Sequence, residues 1–317
     1  MRILAFVLLA GMAATAAAAP APTVFAPGVI SGPADDADPA FSADGHTVVF
    51  ARNGTLMIST RRGDTWSAPV IAPFSGQWMD QQPTMSPDGR FLVFVSNRPV
   101  RAGADKRPAG HLWRVDRQGD GWGQPVHLPP AVNRTASTWA PSVTGDGSLY
   151  FIERSAPDAP FRLRRAQYRD GDYLPSTPVD FGDTTTQDVD PAVAPDESFI
   201  VFGSMHPGPD AHERLYIARR HGTGWSAPVD LGDAVNADGS TDTNEARLSP
   251  DHRTLYFSTD RMSRPHYPRT AAQAQADHAR AAAWDNGRQN IWSVPLDTWL
   301  GDRPGAAAPA RTAAGTP

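Results

Sequence analysis

Five copies of one short pattern run through this chain, and they constrain its fold more than any bulk property does. In each copy a stretch of small residues reaches an Asp and then enters an apolar strand that closes on Phe. The copies are Pro39-Ala40-Phe41-Ser42-Ala43-Asp44-Gly45 into Phe50, Pro83-Thr84-Met85-Ser86-Pro87-Asp88-Gly89 into Phe94, and Pro141-Ser142-Val143-Thr144-Gly145-Asp146-Gly147 into Phe151. Two further copies are Pro191-Ala192-Val193-Ala194-Pro195-Asp196 into Phe202 and Ala246-Arg247-Leu248-Ser249-Pro250-Asp251 into Phe257. The Asp residues at 44, 88, 146, 196 and 251 are 44, 58, 50 and 55 residues apart. A repeat of that length with strand-turn-strand texture means stacked blades of sheet rather than one ordinary core.

Each repeat reads as four strands. Strand a is the Pro-x-hydrophobic-Ser piece, and Asp-Gly makes a tight turn because Gly accepts positive φ. Strand b alternates and ends on Phe, as in Phe91-Leu92-Val93-Phe94. Strand c follows a variable loop, as in Leu112-Trp113-Arg114-Val115 or Leu215-Tyr216-Ile217-Ala218. Both are rich in β-branched and aromatic residues. Strand d carries a second signature, Gly63-Asp64-Thr65-Trp66-Ser67-Ala68-Pro69-Val70, which recurs as Gly121-Trp122-Gly123-Gln124-Pro125-Val126 and Gly224-Trp225-Ser226-Ala227-Pro228-Val229. Proline cannot donate to a ladder, so strand d is the outer edge. The Trp residues are expected to pack between blades.

The fifth repeat has no strand d after Trp292. A d-like piece, Phe25-Ala26-Pro27-Gly28-Val29-Ile30, stands near the N-terminus instead. The expected fold is therefore all-β: a five-bladed propeller of four-stranded antiparallel blades, spanning residues 22–300 and closed by an N-terminal strand that completes the last blade. An Ala-rich insertion at about 262–289 predicts a helix capped by Thr270 and ended near Asn286-Gly287. It should lie over one face of the ring. Residues 301–317 read as a disordered tail.

The first 21 residues read as an export signal. Met1-Arg2 gives the positive start, Ile3 to Gly11 the apolar stretch, and Ala16 to Ala19 a small-residue cleavage zone. The apolar run is too short to span a bilayer stably, and no later stretch reaches that length. The protein is expected in the periplasm or outside a bacterial cell. With Lys+Arg 29 against Asp+Glu 34, the net charge of −5 disfavours nucleic acid as a partner. The absence of cysteine excludes disulfides, thiol chemistry and a lipidated cysteine anchor. There is no His-Glu-x-x-His pattern and no Gly-rich phosphate loop ahead of a helix.

The pattern Ser-Pro-Asp-Gly followed by an apolar strand and Phe94-Val95-Ser96-Asn97-Arg98 resembles the WD40-like propeller repeat of TolB-type proteins. Phe257-Ser258-Thr259-Asp260-Arg261 is the second good match, and the likeness spans about Asp35 to Trp299. The resemblance implies a β-propeller, commonly periplasmic, serving as a protein-interaction platform in the cell envelope; a monomer with an envelope protein or a saccharide as partner is the expectation. The same repeat occurs in propellers of prolyl-oligopeptidase-like enzymes, but no Gly-x-Ser-x-Gly elbow or hydrolase domain is present here.

In propellers the d-to-a and b-to-c loops surround the channel mouth, the usual ligand site. Candidate ligand-binding residues in the d-to-a loops are Asp36, Asp38, Trp78, Asp80, Trp139, Asp188, Asp190 and Glu245. Arg98 and Arg261 supply the opposite charge from the b-to-c loops. The residue just before the strand-a proline, or before Ala246, is Asp38, Gln82, Ala140, Asp190 and Glu245 in turn. Three carboxylates at equivalent positions should converge near the axis. Three readings stay open. Asp38, Asp190 and Glu245 could act as acid and base of a glycosidase-like enzyme. They could hold a Ca²⁺ ion, the one cofactor with any support. Or the acidic residue could simply orient the inner strand of each repeat.

Overall fold

The computed structural model describes residues 20–301, except 102, 184, 206–211 and 237–242. The expected export signal and tail fall outside the described residues, apart from Pro20, Ala21 and Gly301. The described chain forms five antiparallel blades around an axis.

The first strand, β1 (Thr23–Val24), belongs to the last blade. Blade one is β2 (Asp36–Phe41), β3 (Thr47–Arg52) and β4 (Thr55–Arg62), with an outer strand broken into β5 (Thr65–Trp66) and β6 (Val70–Ile71). Blade two repeats this as β7 (Asp80–Met85), β8 (Phe91–Ser96), β9 (His111–Gln118), β10 (Gly121–Trp122) and β11 (Val126–His127). Blade three is β12 (Ser137–Val143), β13 (Leu149–Arg154) and β14 (Arg162–Ala166), then a small hairpin of β15 (Tyr168–Arg169) and β16 (Asp172–Tyr173), and an edge, β17 (Thr177–Pro178). Blade four is β18 (Gln187–Val193), β19 (Phe199–Met205), β20 (Arg214–His221), β21 (Gly224–Trp225) and β22 (Val229–Asp230). Blade five is β23 (Thr243–Leu248), β24 (Thr254–Thr259) and β25 (Asn290–Pro295), and its outer edge is β1.

The ring therefore closes through the N-terminus, but one segment earlier than Phe25 to Ile30. Thr23 pairs with Ser293 and Val24 with Trp292, and the Phe25 N–H donates to Ile291 O at 2.8 Å. The true counterpart of Ala68-Pro69-Val70-Ile71 is Ala21-Pro22-Thr23-Val24. Residues 26–30 instead form a turn, with the Ile30 N–H on Ala26 O at 2.9 Å. The second Ala-Pro, at Ala26-Pro27, imitates the motif without occupying its place.

The hydrophobic core is divided. Five buried clusters lie one at each seam between neighbouring blades. The strand-b phenylalanines, Phe50, Phe94, Phe151, Phe202 and Phe257, are fully buried in them. The seam between blades five and one has the smallest set, Ile30, Val48, Phe50 and Ile291. An aromatic group reinforces it: Phe25 meets Phe41, Trp66 and Tyr256 at ring-centre distances of 5.6, 5.6 and 5.1 Å. Trp225 likewise reaches Tyr150 of the preceding blade at 6.3 Å.

The Ser-x-Asp-Gly signature is a turn device. The Asp44 carboxylate accepts the Ser42 hydroxyl at 2.6 Å and the His46 N–H at 2.9 Å. Asp88, Asp146 and Asp251 repeat the arrangement with Ser86, Thr144 and Ser249. A second recurring device was not visible in the repeat. Ser31, Ser75, Asn133 and Asn236, from the d-to-a loops, bond the backbone at the start of strand c at Ile291, Leu56, Leu112 and Leu215. These polar side chains satisfy backbone groups that the broken outer strand leaves open.

Between β24 and β25 lies the helix α1 (Ala271–Ala283). Thr270 caps it in a capping box with Gln273, and none of its residues is buried. A short helix, α2 (Asp297–Leu300), follows β25. Among the described residues no helix is long and apolar enough to cross a membrane.

Candidate functional site

Every strand a carries a β-bulge at the same place. The pairing with strand b slips between Ala37 and Ala40, Gln81 and Thr84, Trp139 and Ser142, Val189 and Ala192, and Asn244 and Arg247. Inside each bulge one residue has positive φ: Asp38 at 56°, Gln82 at 51°, Ala140 at 51°, Asp190 at 46° and Glu245 at 57°. These are the residues before the strand-a proline. An extra residue in one strand re-aims its side chain and sharpens the local twist. Here it turns five equivalent positions toward the axis.

What these side chains do there is mainly to join blades. The Asp38 carboxylate accepts the Gln82 N–H of blade two. Gln82 Oε1 accepts the Ala140 N–H of blade three at 2.8 Å, and Asp190 Oδ2 accepts the Glu245 N–H of blade five at 3.2 Å. Each link runs from one bulge to the next around the ring. A carboxylate and an amide serve equally well as acceptors, which is why Gln stands among the acids.

The three carboxylates do converge. Asp38, Asp190 and Glu245 influence one another electrostatically, and Glu245 bonds to Asp38. Arg247, which the sequence reading passed over, supplies the countercharge. Its Nη2 meets Asp38 Oδ1 at 2.8 Å, its Nε reaches Pro83 O of blade two at 3.2 Å, and its Nη1 bonds Ala246 O at 2.7 Å. Its side chain is 6% exposed. Arg247 thus ties blade five to blades one and two. The signal for it was present: the equivalent residues are Ala40, Thr84, Ser142 and Ala192, all small. A cavity of about 100 Å³ opens beside it toward the a-to-b turns, the face opposite the expected ligand loops.

Burial pushes the Asp38 carboxyl up to about 7, against the pull of Arg247. Burial, with Asp38 and Asp190 nearby, holds Glu245 well above the usual range, and burial also raises Asp190. A carboxyl raised in the folded state adds stability below its unfolded value and loses it as pH climbs through the folded value. The turn acids have the opposite sign. Hydrogen bonds from Ser42 and the His46 N–H lower Asp44, and Ser198 lowers Asp196, so their contribution disappears as pH falls through the acid range. Denaturant unfolding across pH 3–9 should show a maximum at mildly acidic pH and a decline through pH 7. Glu245→Gln, which mimics the neutral acid, should flatten that decline by about 1 kcal/mol or more at pH 8. An unchanged alkaline limb would assign the decline to other groups.

The remaining predicted residues are built into the scaffold. Asp36 is buried on Arg52 Nε at 2.6 Å, and Asp80 on Arg98 Nη2 at 2.7 Å. Arg98 also reaches Phe74 O and stacks 5.0 Å from the Phe94 ring. Arg261 holds Ala234 O and Val235 O, with Trp292 at 5.1 Å. The Arg four residues after the strand-b Phe therefore braces the turn after strand d in both blades. Asp188 accepts the Ser204 hydroxyl at 2.7 Å, Trp139 packs in a seam with Nε1 on Ser137 Oγ at 2.7 Å, and Trp78 is half-buried ahead of β7. Among the described residues no group of three or more His, Asp or Glu is arranged to hold a metal ion. Arg247 also stands where a Ca²⁺ ion would need to neutralise Asp38. The residues do not fit that cation.

Fold and channel define a five-bladed β-propeller whose axis is crossed by a buried arginine. Solved structures to which the chain is similar include the putative TolB of Agrobacterium tumefaciens, 15% identical, with a TM-score of 0.50 over 83% of this chain and 91% of that one. TolB of Acinetobacter baumannii is 18% identical, with a TM-score of 0.37 over 59% of this chain and 41% of that one. An alpha-L-arabinofuranosidase of Podospora anserina is 11% identical, with a TM-score of 0.45 over 87% of this chain and 96% of that one. No protein-family model matches the chain, and no curated protein is significantly similar to it in sequence. The likeness to the Agrobacterium protein establishes the fold, in keeping with the TolB-type repeat.

Proposed function

We propose that this chain is an exported propeller that acts by binding, as an interaction module of the bacterial cell envelope. The observation that supports a binding role over catalysis is the state of two of the three axial carboxylates. Asp38 and Asp190 are 1% and 7% exposed, each accepts a backbone N–H of the next blade, and Arg247 lies across the channel beside them. A glycosidase needs its acid and base to face a substrate and a water. The raised carboxyls are the one feature that favours the enzyme reading, and burial accounts for them. Export rests on the reading of residues 1–21.

A panel of aryl glycosides, including arabinosides and xylosides, tests the choice between the two classes. The purified chain should release no aryl alcohol above background, and Asp190→Asn should change nothing. Turnover lost in Asp190→Asn would make it an enzyme. Cell fractionation of a reporter fused after residue 25 tests export, with reporter confined to the cytoplasm as the opposing result.

A further inference from the structure

Blade four departs from the turn rule, and the departure points to a site in a different seam. Gly45, Gly89 and Gly147 hold positive φ in the a-to-b turns of blades one to three, whereas blades four and five place Glu197 and His252 there, at 56° and 57°. That conformation costs a non-glycine residue about 1 kcal/mol. The Glu197 carboxylate is what occupies the seam between blades three and four. It accepts the Tyr150 hydroxyl at 2.8 Å and Arg165 Nε at 2.6 Å, with Arg220 Nη2 at 3.7 Å.

The seam between blades two and three has the same framework without the carboxylate. Gly147 stands where Glu197 does. Arg114 stands where Arg165 does: it pairs with Val93, just before Phe94, as Arg165 pairs with Tyr150, just before Phe151. A cavity of about 120 Å³ lies there, lined by Arg114, Gly147, Tyr168 and Tyr173. Tyr173 is 7% exposed, and its hydroxyl has no acceptor for its proton. Burial pushes that phenol up to about 12, so it remains a donor at neutral pH. The Arg114 guanidinium is beside it, 3.8 Å over the Phe91 ring, with Nε on Asp116 at 2.7 Å.

We propose that this cavity binds the carboxylate of a small organic acid or of a peptide, in the place that Glu197 fills one seam further on. Tyr173 and Arg114 are the donors. Asp88 and Asp146 also line the cavity, but each is turned into its own a-to-b turn. Their counterparts in the next seam, Asp146 and Asp196, leave room for Glu197 all the same. A water molecule occupies about 30 Å³ of liquid, so the space suits a carboxylate and a few carbon atoms. None of the axial carboxylates lines this cavity, and the proposal does not depend on their role.

Calorimetric titration of the full chain tests this with three probes at matched ionic strength: sodium acetate, a pentapeptide with a free C-terminal carboxylate, and the same peptide amidated. Saturable binding of acetate or of the free-acid peptide, weakened at least tenfold in Tyr173→Phe and in Arg114→Met, is the expected result. Equal affinity for acetate and the peptide identifies a free acid as the occupant. A peptide at least tenfold tighter than acetate, with its amide inactive, identifies a chain terminus. Tyr173→Phe removes one oxygen and keeps the packing, so it is the decisive variant. No saturable binding by either carboxylate up to about 100 mM, or unchanged affinity in Tyr173→Phe, overturns the proposal.

Discussion

A chain that begins at residue 26 should be less stable than one that begins at residue 20 by about 5 kcal/mol, or should fail to fold. The missing piece is six residues long, yet it closes the ring. It removes β1 and the Phe25 N–H bond from β25, and it removes the Phe25 ring from between Phe41, Trp66 and Tyr256. Losing a packed Phe alone costs about 3–5 kcal/mol, and the unpaired edge of β25 adds to that. The damage falls on the seam with the smallest buried set. Chemical denaturation of the two chains measures the difference. If the shorter chain unfolds at the same denaturant concentration, the ring does not depend on its N-terminal strand. The single variant Phe25→Ala should show a smaller loss in the same direction.

Arg247→Met should cost about 3–5 kcal/mol at pH 8, the usual consequence of taking one partner from a buried ion pair. Met keeps much of the volume and removes the charge, which leaves Asp38, Asp190 and Glu245 facing one another without a cation. The loss should shrink near pH 5, because the raised carboxyls can then carry protons. Adding Asp38→Asn to Arg247→Met should recover a large part of the stability at pH 8, and a double-mutant cycle over the four proteins gives the coupling between the two residues. Equal stability of Arg247→Met and the parent at pH 8 would mean that the arginine is not the countercharge of the channel.

Much of this architecture was legible because it is periodic. The repeated Ser-x-Asp-Gly turns, the Phe at the end of strand b and the proline of strand d recur at matching places, and each recurrence has a local cause. The turn acid binds its own hydroxyl and N–H, Gly takes positive φ, and proline stays out of the ladder. The convergence of Asp38, Asp190 and Glu245 was legible for the same reason, since equivalent positions in a closed ring meet at the axis. The closing strand was placed too late because Ala21-Pro22 and Ala26-Pro27 look alike locally, and only pairing with β25 separates them.

Blade number, strand order and the turn chemistry thus followed from the sequence by itself, because they depend on contacts within one repeat or between identical positions of successive repeats. The tertiary structure alone decided what the axial acids do. A carboxylate before a proline reads the same whether it faces a substrate or accepts the N–H of the next blade. The difference lies in a bulge that turns it inward, in burial that raises it, and in Arg247 arriving from the neighbouring last blade, 209 residues away from Asp38 in sequence. The cavity beside Tyr173 was hidden for a related reason: it exists only where Gly147 and Arg114, from neighbouring blades, face each other across a seam.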